Sequence, residues 1–451
     1  MTKIFGTDGI RCLVNQEPLS PETCLKISKT VAYLLSSTKS KRRRVIICKD
    51  TRLSGYLYEP LVTAGFISMG IDAILVGPLP TPSLPLLIKM LRADIGVMIT
   101  ASHNTYEYNG LKFFDSNGLK LKKDIEKKIE RIISNSNQYL KVINSSSKSG
   151  KAIRLEDSSR RYSEYLKSTL DKKNIFKKFK IVLDCANGAT YQIAPNLFWE
   201  LGHQVISINS NPDGTNINKN CGAVEISGLK KTVLKKRADI GLAFDGDGDR
   251  LIVVDEKGNE VDGDKIIALF AKYFIGLKNK PKNNKVITTV MSNLGFEQYL
   301  KEELNISLIR TDVGDINVIN AMLKYKCLLG GEQSGHIILS EYSNTGDGIL
   351  AALKIIEIMS TKNEKTSRIF DLYKELPQKK INIKYKKINR NIRKRINSLS
   401  LDKVINKKLY RLLIRFSGTE PLIRILVEGP NKKEVEKIAK KFKDKVRSFL
   451  V

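Results

Sequence analysis

The densest group of reactive side chains is Asp245-Gly-Asp-Gly-Asp249-Arg250. Three carboxylates at alternate positions, separated by glycines, can curl round a hard cation, because glycine permits the backbone angles that such a curl needs. Oxygen-only donors favour Mg²⁺ or Ca²⁺ over zinc. An EF-hand is the rival reading, and the register even supplies Glu256 at the twelfth position. It fails because Arg250 stands where that loop needs glycine, and Leu251-Ile-Val-Val254 reads as a strand. A solvated acidic turn is the plain alternative, but aspartates crowded this closely repel one another without a cation. Asp245, Asp247 and Asp249 are therefore expected to hold a metal.

Four more loops carry chemistry. Thr100-Ala-Ser102-His103-Asn104 follows a buried-looking strand, and its serine is either a nucleophile or a cap. Phe5-Gly-Thr-Asp-Gly-Ile-Arg11 is a glycine-rich loop with one arginine. Gly330-Gly-Glu332-Gln-Ser334-Gly-His336 gathers a carboxylate, a hydroxyl and an imidazole. Arg415-Phe-Ser417-Gly418-Thr419-Glu-Pro421 offers a guanidinium, two hydroxyls and glycine-exposed N–H groups, a composition that suits a phosphate. Taken singly, the serine is more often a cap and His103 a satisfied loop histidine, and the Arg415 loop is even with a plain turn. Together they supply a hard cation, positive clamps and an oriented hydroxyl, which is what phosphoryl transfer requires.

Something must hold these loops. Arg44-Val-Ile-Ile-Cys48 reads as a buried strand. Ser20-Pro21-Glu22 has the form of a helix start, followed by Cys24, Ile27, Val31 and Leu34 at helical spacing. Arg92-Ala-Asp-Ile-Gly96 recurs as Arg237-Ala-Asp-Ile-Gly241. Each copy leads into a short apolar strand (97–99 and 242–244) and then a polar loop. A third strand, Cys327-Leu-Leu329, runs into the Glu332 loop. This predicts one α/β unit used three times, each presenting a loop from a strand's C-terminal end. Residues 375–408 turn basic and weakly patterned, which places a domain junction just before them. Beyond it, 409–416 and 422–427 read as strands, and Val435, Ile438, Phe442, Val446 and Phe449 form one helical stripe.

The 451 residues suit two to four domains. With 41% apolar and 28% charged residues the chain is globular, not disordered. No apolar run approaches the roughly 18 residues of a membrane span, and the N-terminus shows no signal core. Cys12, Cys24, Cys48, Cys185, Cys221 and Cys327 contain no Cys-x-x-Cys pair, which argues against a zinc ribbon or a disulfide scaffold and fits a reducing cytoplasm. Lys and Arg exceed Asp and Glu by 31, but the lysines run along the whole chain among many Ile and Asn residues. Charge spread this way speaks to solubility rather than to a specific site.

Six segments carry a resemblance: 5–11, 96–104, Asp184-Cys-Ala-Asn-Gly-Ala-Thr190, 245–250, 330–337 and 415–421. In this order they make the sequence resemble the α-D-phosphohexomutases from Phe5 to Gly429, and most of all the branch acting on glucosamine phosphates. The resemblance implies an α/β protein: three similar α/β domains with mixed sheets, plus a smaller C-terminal α+β domain, around a central cleft. The expected divisions are 1–150, 151–255, 256–374 and 375–451. Ser102 would be carried as a phosphoserine. Asp245, Asp247 and Asp249 would bind one Mg²⁺ together with an oxygen of that phosphate, so Ser102 counts among the metal ligands. Glu332 and Ser334 would contact sugar hydroxyls. Arg415, Ser417, Gly418 and Thr419 would hold the non-reacting phosphate, with Arg250 also on the substrate side. Arg11, Lys112, His103 and His336 would handle phosphate or protons. Glucosamine 6-phosphate would become glucosamine 1-phosphate through a 1,6-bisphosphate, which also serves as activator, feeding UDP-N-acetylglucosamine and cell-wall precursor synthesis. The partner is a small sugar phosphate, with no membrane or nucleic acid expected and a homodimer compatible with the sequence.

Four positions depart from the family pattern. Cys12 and Ile316 replace a glycine and an arginine, Thr105 stands for a proline after Ser-His-Asn, and Phe416 for the proline of Arg-Pro-Ser-Gly-Thr. Cys12 raises the concern of a stiffened turn, and Ile316 leaves the missing arginine's contacts without an owner. A phosphoglucomutase or phosphomannomutase is the alternative within the family. A nucleic-acid-binding protein would interleave aromatics with its basic clusters, yet 378–408 holds only Tyr385. A simple phosphatase would not need a substrate held at both ends.

Overall fold

A computed structural model describes residues 3–6, 8–35, 43–146, 148–171, 177–276, 284–385, 388–399, 409–416 and 421–450. Strands β1 (Ile10–Leu13), β2 (Arg44–Lys49), β3 (Asp72–Pro78), β4 (Ile95–Ile99), β5 (Tyr108–Asp115) and β6 (Ala152–Arg154) form a sheet in the order β1-β5-β4-β2-β3-β6. β7 (Lys180–Asp184), β8 (Gln204–Ile208), β9 (Ile240–Phe244), β10 (Leu251–Asp255) and β11 (Glu260–Val261) form a second, ordered β11-β10-β9-β7-β8. β12 (Lys285–Thr289), β13 (Ser307–Thr311), β14 (Leu329–Gly331) and β15 (Ile337–Leu339) form a third, ordered β13-β12-β14-β15. β16 (Gln378–Lys384), β17 (Arg411–Phe416) and β18 (Leu422–Glu428) make a small antiparallel sheet, ordered β16-β18-β17.

The first three sheets share one plan. A parallel strand (β4, β9 or β14) leads through a loop into an antiparallel neighbour (β5, β10 or β15). The loops at 100–107, 245–250 and 332–336 are thus equivalent in the three units. The repeated pentapeptide explains the entrance to each strand. Arg92, Arg237 and Lys326 close a helix in the left-handed region, at φ 51°, 49° and 51°. The next N–H then bonds back into the last turn: Ala93 to Ile88, Ala238 to Val233 and Cys327 to Met322, at 2.9–3.0 Å. Asp94 and Asp239 accept the backbone N–H of Arg44 and Lys180 from the adjoining strand, at 2.9 and 2.7 Å. The third strand begins two residues later than its expected start at Cys327, because that N–H is spent closing the helix.

Helix Pro21–Leu35 starts where the spacing predicts and buries Cys24, Ile27 and Val31. The Thr23 N–H donates to Ser20 Oγ at 3.3 Å. Val45 to Cys48 of β2 are wholly buried, as a central parallel strand covered on both faces must be. β6 and β11 lie beyond the expected divisions at 150/151 and 255/256, yet they pair with β3 and β10 and complete the sheets before them. The weakly patterned stretch at 378–384 is a strand, registered along its whole length on β18. Its outward lysines mask the alternation.

One apolar core joins the first three units. It is filled by helix Gly348–Lys362, which is buried from Gly348 to Met359 and packs on β9, β10 and β15. The last unit has its own core of Val435, Ile438, Phe442 and Val446 against Ile423, Ile425 and Val427. Phe449 is half-buried beneath the Arg395 guanidinium. No described helix is long and apolar enough to cross a membrane.

A buried histidine in the second unit predicts an acid limit. His203 packs between Phe179 and Phe198, and burial lowers its pKa to about 4. The unfolded chain takes up that proton near pH 6.5, so stability falls as pH drops from about 6.5 to about 4, by up to roughly 3 kcal/mol. Thermal melts across this window should show the slope, to which neutral His103 adds in the same sense, and His203→Phe should reduce it; an unaltered slope in the variant would assign the effect elsewhere.

Candidate active site

Ser102 sits at the C-terminal end of β4, 1% exposed, with its backbone in the left-handed region at φ 51°. For a residue with a β-carbon this costs roughly 1–2 kcal/mol, so the surroundings must impose it. Its N–H donates to Thr100 Oγ1 (2.9 Å), and Thr100 in turn donates to Asp50 Oδ2 (2.6 Å). Its carbonyl accepts from Arg52 Nη2 (3.0 Å) and Asn218 Nδ2 (2.9 Å). The hydroxyl is left to face the second unit, where it donates to Asp245 Oδ2 at 2.9 Å and lies 3.4 Å from His103 Nδ1.

Asp245, Asp247 and Asp249 converge as their spacing predicts. All three are buried, with one oxygen from each within 4.8 Å of the others. The turn relies on Gly248 at φ 69°, and on Gly246, where a β-carbon would lie 2.6 Å from Asn218 Nδ2 and 2.7 Å from Ser102 O. Thr81 and Lys112 of the first unit donate to Asp247 Oδ2 at 2.6 and 2.9 Å. Asp247 Oδ1 and Asp249 Oδ1 are buried with no hydrogen-bond partner. Buried carboxylate oxygens are rarely left so, and three hard donors around one point fit a divalent cation. The EF-hand alternative is excluded, since β10 pairs directly with β9.

The charge states diverge sharply. Burial, then the charges of Asp249 and Asp247, push the Asp245 pKa well above the carboxylate range. Burial opposes ionisation of Asp249 too, but the Lys112 ammonium and His336 hold it well below that range. Lys112 is itself buried, yet Asp247, Asp8 and Asp249 raise its pKa, so it remains a cation and a donor. Arg11 reaches Asn104 Oδ1 (3.1 Å) and Asp8 Oδ2 (3.2 Å). Arg250 Nε stands 3.9 Å from both Asp245 and Asp249. His103 moves the other way: burial, then Arg250 and Arg11, lower its pKa to about 3, so it is a neutral imidazole. His336 Nδ1 faces Asp249 at 3.6 Å. Burial works against its charge, but Asp249 and Asp315 raise its pKa. Its Nε2 accepts the Gly346 N–H at 3.0 Å, which places the resting proton on Nδ1.

Glu332 is buried and accepts the Gly314 N–H at 3.1 Å, while Ser334 is exposed at the loop tip. Arg415 lies in β17 opposite Arg424, within electrostatic reach of Asp312 in the third unit. Burial and Arg424 lower its pKa. No hydrogen bond among the described residues links it to the Ser102 cluster. Ser417, Gly418 and Thr419 lie outside the described residues.

Domain models of phosphoglucomutase/phosphomannomutase match in chain order: α/β/α domain I over residues 2–140, domain II over 160–258, domain III over 262–377, and the C-terminal domain over 385–445. The chain belongs to the phosphoglucomutase/phosphomannomutase family. A phosphoglucosamine mutase from Granulibacter bethesdensis is 46% identical, over 97% of this chain and 94% of that protein. One from Bartonella quintana is 43% identical, over 98% and 95%. Among solved structures, a family protein from Burkholderia thailandensis superposes with a TM-score of 0.83 at 21% identity, covering 99% of this chain and 97% of that one. The N-acetylphosphoglucosamine mutase of Aspergillus fumigatus, solved with GlcNAc-6P and magnesium, gives 0.63 at 17% identity, covering 99% and 96%. At these identities the two structures share the fold.

Within the family frame the four departures become concrete. Cys12 lies in β1, outside the left-handed positions, so the concern about a stiffened turn does not hold. Ile316 leaves Asp315 to Lys120, which bridges it to Asp8 of the first domain. Thr105 O accepts Arg52. Phe416 packs edge-on to Tyr385 and beneath Arg393. Sequence reasoning missed Arg52, Asn218, Thr81 and Lys120. Arg52 lies in Lys49-Asp-Thr-Arg52 after the strand at 44–48, a polar run at a strand's C-terminal end, the same signal that marked the other loops.

Proposed function

We propose that the chain interconverts glucosamine 6-phosphate and glucosamine 1-phosphate, with Ser102 as the phosphoryl carrier. The observation that carries this reading is the buried Ser102 hydroxyl, 2.9 Å from Asp245 at the rim of a three-carboxylate cluster. Mg²⁺ held by Asp245, Asp247, Asp249 and an oxygen of phosphoserine 102 would offset phosphoryl charge and polarise the bond to the serine oxygen. The free O1 of glucosamine 6-phosphate attacks the phosphoserine phosphorus. The new O1–P bond forms as the serine O–P bond breaks, giving glucosamine 1,6-bisphosphate. The O1 proton passes to neutral His103, 3.4 Å from Oγ, and on to the serine oxygen. After the bisphosphate turns over, Ser102 takes the 6-phosphoryl group, and His103 runs in reverse.

Lys112, Arg11 and Arg250 surround the transferring group with fixed positive charge. Glu332 and Ser334 orient the sugar hydroxyls. Arg415, Ser417, Gly418 and Thr419 hold whichever phosphate is not reacting, so one clamp serves both orientations. The bisphosphate also re-primes enzyme that has lost its phosphate. Six free thiols suit a cytoplasmic enzyme.

A coupled assay with Mg²⁺ and a trace of hexose 1,6-bisphosphate tests the sugar. kcat/KM for glucosamine 6-phosphate should exceed that for glucose 6-phosphate and mannose 6-phosphate by about tenfold or more. Preference for another hexose would keep the chemistry and move the branch; no turnover of any would refute the reading.

A further inference from the structure

Two buried side chains from different domains grip the Ser102 loop at the same two atoms. Arg52, 1% exposed, donates Nη2 to Ser102 O (3.0 Å) and Asn104 O (2.8 Å), and Nη1 to Tyr108 O (3.0 Å) and to Thr105 O. Its Nε is fixed on Asp50 Oδ2 at 2.8 Å. Asn218 comes from the second domain. Its Nδ2 donates to Ser102 O (2.9 Å) and Asn104 O (2.8 Å), the same pair of carbonyls. Asn218 is itself left-handed, at φ 57°, and its N–H is anchored on Ala186 O at 2.9 Å. The metal-loop glycine, Gly246, leaves room for no side chain between Asn218 Nδ2 and Ser102 O.

We infer that Arg52 and Asn218 form an interdomain clamp that sets the Ser102 hydroxyl against the three-carboxylate cluster, and that both are positioning residues for phosphoryl transfer. This rests on the reading of Ser102 as carrier. The hydroxyl rides on the first domain and Asp245 on the second, so their separation is an interdomain distance. Asn218 belongs to the same body as Asp245. Its two bonds therefore tie the serine backbone to the carboxylates, while Arg52 ties it to the first sheet through Asp50. Misplacement of a reacting group by about 1 Å costs on the order of 100-fold in rate.

Asn218→Gly is the decisive variant, since glycine tolerates the left-handed backbone and removes the side chain that carries the donor. Asn218→Asp keeps the shape and loses the donor, and Arg52→Lys loses the fork. Each should lower kcat by about 10- to 100-fold with KM within about twofold. Inorganic phosphate released per turnover should rise, because a loosened phosphoserine is more open to water. Amide hydrogen exchange across 100–108 should quicken in Asn218→Gly while melting stays cooperative. Unchanged exchange, or kcat within about twofold and unchanged phosphate release, would overturn the clamp, as would a kcat loss that merely follows the unfolded fraction. Turnover surviving in Ser102→Ala would overturn the carrier reading and the positioning role with it, a result distinct from failure of the clamp alone.

Discussion

Ser102→Ala should abolish turnover, with kcat reduced on the order of 10⁴-fold or more and the fold retained. Losing the attacking group of a covalent mechanism removes a whole pathway rather than one contact, which is why nucleophile deletions are so severe. Among the described residues, the threonine hydroxyls of this cluster are already engaged. Thr100 Oγ1 is committed to Asp50 and to the Ser102 N–H, and Thr81 Oγ1 to Asp247. Alanine meets the same left-handed strain as serine, so the clamp on the carbonyl keeps the loop in place. Intact mass should find one phosphate on the wild-type chain after incubation with hexose 1,6-bisphosphate, and none on the variant. Activity above about 1% of wild type, or phosphate mapped to another residue, would refute Ser102 as carrier.

Removing divalent cations should bring turnover to background, and Mg²⁺ should restore it. Because the cation binds the folded cluster, a hundredfold excess over its Kd should add about 2.7 kcal/mol of stability, seen as a rise in melting temperature. The cluster's substitutions should diverge in the cation-free protein. Asp245 is buried beside two other carboxylates and its ionised form is disfavoured. Asp245→Asn therefore removes repulsion, and should raise the cation-free melting temperature while abolishing both the Mg²⁺ gain and turnover. Asp247 accepts from Lys112 and Thr81. Asp247→Asn strands the buried Lys112 ammonium with one fewer counter-charge, and should lower the cation-free melting temperature as well as activity. Shifts of the same sign, or with the two signs reversed, or a Mg²⁺ gain that persists in both variants, would contradict this geometry.

The chemistry of the loops could be read directly from the chain because it is local. Alternating aspartates and glycines bring three carboxylates into one tight turn, and the pentapeptides at 92–96 and 237–241 encode a helix stop and a strand start within five residues. The strand at 378–384 was not legible, since its lysines hide the period and only β18 reveals its pairing. Side-chain charge could not be read either. Of the three aspartates in one motif, Asp245 is pushed toward the acid form and Asp249 away from it, because burial is shared while Lys112 and His336 come from other domains. Neutral His103 and cationic Lys112 follow the same logic. The sequence thus specifies which chemical groups each loop carries and the turn that presents them. Which proton each carries, and how Arg52, Asn218 and Lys120 bind loops 50 to 195 residues away, follows from packing. Hydrogen bonds and charge pairs act over a few ångströms, and only folding brings such distant segments that close.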